Sequence, residues 1–224
     1  MAKREDGKET RSKVLNAACE VFARKGYRAA TVAIICKRAG ANVASVNYYF
    51  GDKASLYQEA WRYALESFHA QIAMDVRADS PQQALRDYIL TLMRNFSSED
   101  ERGRFSRLYL RELVSPTGLI QEAWHEMIEP RRRALHQLIR EIIGPETDEL
   151  TVLFCEQSII NQCRALLTIK RDDLEYMLGQ PLSPDLTHRF AEHIADFSLA
   201  GIEAVGGFKD RKQKNGQPPY TWPE

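Results

Sequence analysis

Apolar residues recur at the spacing of an α-helix along nearly the whole of this 224-residue chain. No sustained stretch alternates apolar and polar residues with the period of two that half-buried strands require, and several apolar segments follow residues that cap helices. The longest apolar runs are also far shorter than the roughly 18 residues that a membrane-spanning helix needs. The sequence therefore predicts an all-α protein that does not insert into a membrane.

The N-terminus and the cysteines narrow the class of protein further. The opening residues, MAKREDGKETR, contain no apolar stretch after their charges and so do not form a signal peptide. Cys19, Cys36, Cys155 and Cys163 have neither CxxC spacing nor paired histidines nearby, which favours buried free thiols over metal ligands. We expect a cytoplasmic protein with no metal site and no cofactor.

Capping and breaking residues divide the chain into segments. Thr31 and Asn42 are suitable N-caps, because their side chains can accept hydrogen bonds from the free amides of a first turn. Gly26, Gly40 and Gly51 are well placed to end the three helices at the N-terminus. The predicted helices span about 10–25, 31–40, 43–49, 52–72, 81–96, 104–113, 118–143, 148–170 and 184–205.

Prolines and glycines mark the irregular places. Pro130 lies inside the segment 118–143 and removes an intrahelical hydrogen bond, so we expect a kink or a break near Glu129. Residues 206–224 are rich in Gly, Pro and Lys, and we expect them to be disordered.

Lysine and arginine are concentrated in the first quarter of the chain. Formal net charge is zero, yet residues 1–57 hold eleven lysines and arginines against five acids. A basic N-terminal part on an acidic remainder suggests that only the N-terminal part meets a polyanion. A chance imbalance on a solvated surface explains the charges equally well.

The segment 43–50 separates into two faces when it is drawn as a helix. Val46, Tyr49 and Phe50 fall on one face, whereas the other presents small residues, one amide and one phenol. Such a surface suits a helix in the DNA major groove, since small residues allow close approach and Asn47 can pair with an adenine edge. The outward residues are Ala44, Ser45, Asn47 and Tyr48, with Val43 at the border.

The spacing of the second and third helices is that of a helix-turn-helix, with Gly40 at the turn. Lys53, at the start of the next helix, lies among amides that could bind a phosphate. An ordinary three-helix unit with an idle surface is the alternative. The basic charge and the outward Asn47–Tyr48 pair together favour DNA.

Residues 11–57 resemble the DNA-binding domain of the TetR family of transcriptional regulators. The resemblance is carried by VFARKGYRAATVAIICKRAG, by the turn ANVAS and by VNYYFGDKASLY, about a fifth of the chain. It implies that Thr31, Ser45, Asn47, Tyr48, Tyr49 and Lys53 occupy operator-contacting positions. Many relatives carry an aromatic residue where Asn47 stands, so their base preference at this position does not transfer. NYYFGDK and the second half of the chain are similar to the CecR-like subgroup.

The middle helices carry many large apolar residues that could line a ligand site. At helical spacing, any one of them is more often core than pocket, but helical bundles do place ligands between their helices. The resemblance implies a small-molecule sensor here. Arg107, Arg111 and residues 131–133 could receive an anionic group or could pair with neighbouring acids. The candidate ligand-binding residues are Trp61, Phe68, Met93, Phe96, Phe105, Tyr109, Trp124, Met127 and Ile128.

The last two long helices have the character of a dimer interface. Both are strongly apolar, and small residues beside the apolar positions of the final helix would let another helix approach closely. Internal packing is the alternative, although so apolar a chain end is hard to cover within one subunit. The candidate interface residues are Phe154, Leu166, Phe190, Ile194, Phe197 and Gly201.

The sequence as a whole predicts a DNA-binding regulator. We expect a helix-turn-helix domain at 1–51, a ligand-binding and dimerisation domain at 52–205, and a homodimeric repressor that a small molecule releases from a palindromic operator. An all-helical binding protein with a non-functional helix-turn-helix is the alternative. An enzyme is not expected, because no Ser-His-Asp, paired-carboxylate or metal constellation is present in the sequence.

Overall fold

Helices make up the architecture of the computed structural model, which describes residues 2–69, 79–98, 100 and 102–215. Within these ranges, the side chains of 2–6, 67, 69, 102, 127, 131 and 207–215 are not described. The helices are α1 (Ala2–Ala29), α2 (Val32–Ala39), α3 (Val43–Phe50), α4 (Lys53–His69), α5 (Pro81–Ser97), α6 (Arg102–Val114), α7 (Gln121–Met127), α8 (Glu129–Ile143), α9 (Glu149–Thr168), α10 (Arg171–Leu178) and α11 (Pro184–Asn215).

Short helices α2 and α3 owe their lengths to their caps. The hydroxyl of Thr31 accepts a hydrogen bond from the amide of Ile34 at 3.3 Å, and α2 ends at Gly40 in the left-handed conformation. The carboxamide of Asn42 accepts from the amide of Ser45 at 2.8 Å, and α3 ends at Gly51. The predicted caps and the helix-turn-helix spacing are confirmed.

The three N-terminal helices share a core that continues into α4. Val14 and Phe22 from α1, Ile35 from α2 and Val46 from α3 are each at most 5% exposed. The ring of Phe22 meets the ring of Tyr57 of α4 edge-on, with centroids 4.8 Å apart. The N-terminal unit, residues 2–51, is therefore joined to α4 by buried aromatic contacts and not by the chain alone.

Gly26 interrupts α1 at the predicted place. Its backbone has φ 74° and ψ 169°, a conformation that side chains other than hydrogen rarely tolerate. The guanidinium of Arg111, on α6, donates to the carbonyl oxygens of Ala23 at 3.3 Å and Arg24 at 2.6 Å. These are carbonyls that a broken helix leaves without intrahelical partners, so α6 satisfies the end of α1.

Helix α5 is central to the body of the molecule. It packs against α6, α8, α9 and α11, and it buries Leu85, Ile89 and Met93 almost completely. Helices α7 and α8 meet at Ile128 and Glu129, so the break predicted from Pro130 is confirmed. Helix α10 was not foreseen in the sequence. Among the described residues, no helix is both long enough and apolar enough to cross a bilayer.

Helix α11 corrects the predicted end of the ordered chain. It continues to Asn215, ten residues beyond the expected end at Val205, through a segment that we expected to be disordered; residues 216–224 lie outside the described range. A Cβ atom at Gly206 would stand 3.1 Å from the side chain of Ile143. The glycine therefore permits close packing on the end of α8, and the helix-forming lysines, arginine and glutamine that follow continue the helix.

Substituting Gly26 by alanine should lower the free energy of unfolding by about 1–3 kcal/mol, because a Cβ atom is strained at this φ and ψ. Urea denaturation followed by circular dichroism measures the change. Lys25→Ala, at the preceding position, is the control and should change stability by less than about 0.5 kcal/mol. Equal stability of the two variants would contradict the strain argument.

Candidate DNA-binding surface and ligand cavity

The outer face of α3 is exposed as the sequence predicted. Val46 is fully buried and Phe50 is 5% exposed, whereas Val43 is 49% and Tyr48 is 82% exposed. Ala44 and Asn47 are exposed on the same side as these two. We call Val43, Ala44, Asn47 and Tyr48 the recognition face. A phenol exposed to this degree, beside an amide and small side chains, is free to meet a partner.

The hydroxyls of Thr31 and Ser45 differ in the hydrogen bonds that they can make to DNA. Thr31 uses an oxygen lone pair to cap α2, so its proton remains available to a phosphate oxygen. Ser45 is half-buried, and its hydroxyl donates to the Asn42 carboxamide at 3.0 Å. Ser45 can therefore accept a hydrogen bond from a base but cannot donate to a phosphate without weakening the cap.

Tyr49 lies at the boundary of the two faces. Its ring packs edge-on against Tyr48 at 4.9 Å and against Phe50 at 6.3 Å, and the residue is half-buried. Its hydroxyl lies 3.2 Å from where a Cβ atom of Gly7 would stand. Tyr49 thus lies on the packed side of α3, as the periodicity predicted, and the operator contact that the resemblance implies for it stays a prediction.

The start of α4 is less open to a phosphate than the sequence suggested. The carboxylate of Asp52 accepts a hydrogen bond from the amide of Ser55 at 2.7 Å, and this bond lowers the pKa of Asp52 below its ordinary value. The ammonium of Lys53 lies over the ring of Tyr27, 4.4 Å from its centroid. Asp52 already binds one of the free amides at the start of α4. A phosphate there would therefore be bound by the charge of Lys53 and not by the helix N-terminus.

A cavity of about 340 Å³ lies between the helices of the body. Its walls come from α4 to α9, and most lining residues follow one another along a helix at spacings of three or four. We call it the aromatic cavity. It is lined by Phe68 on α4; Tyr88, Leu92 and Phe96 on α5; Phe105 and Tyr109 on α6; Trp124 on α7; Ile128 between α7 and α8; Arg132 and Leu135 on α8; and Glu156, Gln157, Ile160 and Arg164 on α9.

Six of the nine predicted ligand-binding residues line this cavity: Phe68, Phe96, Phe105, Tyr109, Trp124 and Ile128. Trp61 and Met93 do not. Trp61 is fully buried and packs edge-on against Phe105, and Met93 is 1% exposed in the core around α5. The side chain of Met127 lies outside the described residues.

Charged residues on α8 and α9 line the cavity as well, and those of α9 were not predicted from the sequence. Glu156, Ile160 and Arg164 follow at intervals of four, so a strongly apolar helix places two opposite charges on one face. That pattern is the signal that could have found them. Of the arginines considered from the sequence, Arg132 lines the cavity, whereas Arg107 donates to the backbone of Ser98 at 2.9 Å and Arg111 to the backbone of α1.

Glu156 is held by an ion-pair network. Arg132 donates to both of its carboxylate oxygens, at 2.8 and 2.9 Å, and the His136 ring lies at hydrogen-bond distance, 2.8 Å. Burial alone would raise the pKa of the Glu156 carboxyl, but the hydrogen bonds and charges of Arg132 and His136 bring it below the ordinary value. The carboxylate is thus ionised and fully partnered.

The outer sides of α9 and α11 form a groove of about 280 Å³. We call it the α9–α11 groove. Phe154 and Phe197 are 61% and 62% exposed at its rim, and Gly201 is exposed between them. These three of the predicted interface residues lie on an open apolar surface.

The other predicted interface residues are turned inward. Ile194 is 1% exposed, and Phe190 and Leu166 are half-buried against the core of their own chain. The small residues Ala191 and Ala195 are buried too, because α11 packs along α5. Ala191 and Ala195 thus serve a helix contact within the chain and not the contact with a partner subunit that we expected of them, whereas Gly201 remains exposed.

Two family models match the chain. Residues 81–202 match the C-terminal domain of the HTH-type transcriptional dual regulator CecR, and residues 14–60 match the bacterial regulatory proteins of the tetR family. The chain is 26% identical over 170 residues to the CecR regulator of Shigella flexneri, covering 71% of this chain and 76% of the relative. It is 21% identical over 145 residues to the regulator AcrR of the same organism, covering 62% and 67%.

Solved structures share the fold. A transcriptional regulator from Rhodococcus superposes with a TM-score of 0.65 at 19% identity, covering 87% of this chain and 96% of its own. The regulator FadR from Bacillus subtilis, determined in complex with stearoyl-CoA, superposes with a TM-score of 0.64 at 20% identity, covering 85% and 98%. At these identities the likeness establishes the arrangement of helices.

Replacing Arg132 by methionine should lower the free energy of unfolding at pH 7 by about 3–5 kcal/mol, because it leaves the buried Glu156 charge without its main partner. Arg133→Met is the matched control. The Arg133 side chain is 77% exposed, and its contact with Glu129 is long, at 3.8 Å. Its loss should therefore lower the free energy of unfolding by less than about 0.5 kcal/mol.

The same pair of variants gives a pH test. Since the folded-state pKa of Glu156 lies below its ordinary value of 4.5, the stability it contributes is complete above that pH and is lost as pH falls below it. The difference in the free energy of unfolding between wild type and Arg132→Met should therefore become smaller as the pH falls below 4.5. A constant difference from pH 7 to pH 3 would contradict an ionised Glu156.

Proposed function

The chain belongs to the TetR family of bacterial transcriptional regulators, in its CecR-type branch, and we propose that it is a homodimeric repressor that a small molecule releases from a palindromic operator. Residues 1–51 bind the DNA and residues 52–205 bind the ligand and the second subunit. The recognition face of α3 is the observation that carries the proposal. Its side chains are exposed on a helix whose two ends are capped and whose other side is packed into the core.

The recognition face fits the major groove chemically. Asn47 can accept and donate at an adenine edge, and Tyr48 can bond a base or a phosphate. Ala44 and Val43 are small enough for the helix to lie against the base pairs, and Val43 can contact a thymine methyl group. Thr31, at the start of α2, can donate to the adjacent phosphate backbone.

Helix α6 offers a route from the ligand cavity to the DNA-binding part. Phe105 and Tyr109 line the aromatic cavity, and Glu112 continues the same stripe of α6 one turn later. There Glu112 accepts a hydrogen bond from Tyr57 of α4 at 2.5 Å. A ligand that shifts α6 would act on α4 and on the end of α1 together, provided it binds one arrangement of the helices more tightly than the other.

The α9–α11 groove supports a two-fold dimer. Its exposed apolar rim would be covered by the same surface of a second copy, since a two-fold contact is self-complementary. Such a contact sets the distance between the two recognition helices, which must lie about one turn of DNA apart on a palindrome. The FadR regulator, similar in fold, holds stearoyl-CoA, which supports a ligand-binding role for the body.

Asn47→Ala should weaken binding to the operator by about 1–3 kcal/mol and leave binding to unrelated DNA nearly unchanged, because it removes a base contact and no charge. Operator fragments are first selected from genomic DNA with the purified protein, and affinities are then measured by fluorescence anisotropy at fixed salt. Gln82→Ala, which removes an exposed amide on α5, is the control and should bind as wild type. If operator and unrelated DNA weaken equally, Asn47 does not read a base.

Gly201→Trp should dissociate the dimer. Among the described residues, no heavy atom beyond the adjacent part of α11 lies within 4 Å of a Cβ atom built at Gly201, so the monomer has open space for a side chain there. Across a two-fold interface the overpacking occurs twice, at about 1–3 kcal/mol each. Sedimentation velocity should give the mass of a monomer. The helical content should be unchanged, and the affinity for the operator should fall steeply.

Glu203→Trp, on the opposite side of α11 and also exposed, is the matched control and should remain dimeric. A Gly201→Trp variant that keeps the dimer mass and the operator affinity of wild type would remove the α9–α11 groove from the interface.

A further inference from the structure

Arg164 is a cation of the cavity wall that has no carboxylate partner among the described residues. One of its terminal nitrogens donates to the Asn161 carboxamide at 3.1 Å, and the other donates to the Tyr109 hydroxyl. Its Nε atom is buried and has no hydrogen-bond partner within the described part of the chain. A guanidinium has five N–H donors, so this one keeps capacity for a further acceptor.

The remaining charges at the cavity cancel. Arg132 is paired with Glu156 on one side and with Glu129 at 3.1 Å on the other, and His136 adds a further donor to Glu156. Neither carboxylate oxygen of Glu156 is left without a partner. Arg164, which is half-buried, therefore gives the lining of the aromatic cavity a net positive charge, and such a charge is stabilised when an anion binds it.

Tyr109 adds a second donor beside Arg164. Its hydroxyl oxygen accepts from Arg164, so its own proton is free to point elsewhere. Burial raises the pKa of Tyr109 above its ordinary value, although the Arg164 charge opposes this, and the phenol stays protonated at neutral pH. An N–H of Arg164 and the O–H of Tyr109 are a suitable donor pair for the two oxygens of one carboxylate.

Aromatic rings make up much of the rest of the wall. The rings of Tyr109 and Trp124 are nearly parallel, 13° apart with centroids 5.6 Å apart, and Phe105 lies 4.8 Å from Phe68. A volume of about 340 Å³ is at the lower end of the range for small-molecule pockets. From these walls and donors we infer that the aromatic cavity binds a small, flat, apolar acid whose carboxylate is bound by Arg164 and Tyr109. This inference rests on the proposed ligand-responsive function and specifies its ligand class.

The test uses matched probes of three sizes: benzoate, 1-naphthoate and 4-biphenylcarboxylate, each with its neutral amide and with the corresponding protonated arylmethylamine. Binding to the wild-type full chain is measured by isothermal titration calorimetry. At least one acid should bind about tenfold or more tightly than its amide, as expected for one charge-assisted hydrogen-bond pair, and the amine should bind most weakly.

Arg164→Met should reduce acid binding to the level of the amide and leave amide binding unchanged. Arg133→Met, which removes an exposed cation of α8, is the control and should bind the acid as wild type. Tyr109→Phe should weaken binding of the acid by a smaller factor than Arg164→Met does, because the phenyl ring keeps the apolar contacts. If Arg164→Met does not fold, Arg164→Lys retains the charge without the planar fork and should bind the acid with intermediate affinity.

Three outcomes would overturn the inference: equal affinities for each acid and its amide, a preference for the amines, or an Arg164→Met variant that binds the acid as tightly as wild type. Operator binding is measured on the same preparations without any probe. If the wild-type protein does not bind the operator, the proposed function is contradicted. If it binds the operator but binds no acid more tightly than the corresponding amide, only the ligand class is contradicted.

Discussion

The buried carboxylate of Glu112 must find hydrogen-bond donors, and the molecule supplies them from two directions. Tyr57 donates from α4 at 2.5 Å, and Thr117 donates through its amide at 3.0 Å and its hydroxyl at 2.8 Å. A buried ionisable group left without partners would cost several kcal/mol, so the three contacts act as one unit. They tie α4, α6 and the loop before α7 together at the junction between the DNA-binding part and the body.

Contacts along α6 extend this junction in both directions. Toward the aromatic cavity, Phe105 meets Trp61 and Phe68 of α4, so the α4–α6 contact is apolar as far as the cavity wall. Toward α1, Arg104 donates to Asn16 at 3.0 Å, and Arg111 donates to the carbonyl oxygens of Ala23 and Arg24. Packed cores respond to a shift by changing arrangement and not by stretching, so a displacement of α6 would be felt at both places.

The parts of the molecule that were predicted from the sequence are those with local causes. Thr31, Asn42 and the glycines after α2 and α3 act within one turn, and the caps are where the residues indicated. Cavity-lining residues could be distinguished from core residues only in part. The helical period identifies the buried face of a helix, but it does not show which residue of that face lines a cavity. Trp61 and Phe68 share α4 and both pack against Phe105, yet Trp61 is fully buried in the core whereas Phe68 lines the aromatic cavity. The burial of Ile194 could not be predicted either, since α5, along which α11 packs, lies about a hundred residues away in sequence.

The two charged residues that α9 places at the aromatic cavity, Glu156 and Arg164, were hidden by the apolar pattern of the helix and bear on its function. Both carboxylate oxygens of Glu156 are satisfied by Arg132 and His136, and that network forms part of the cavity wall. Arg164, two turns later on the same face, is satisfied incompletely, and its Nε atom stays buried without an acceptor in the described structure. Stability alone would favour an apolar residue or a paired one at this position. A buried donor without an acceptor calls for an explanation, and the carboxylate ligand that we infer for the aromatic cavity, which Arg164 lines, supplies one.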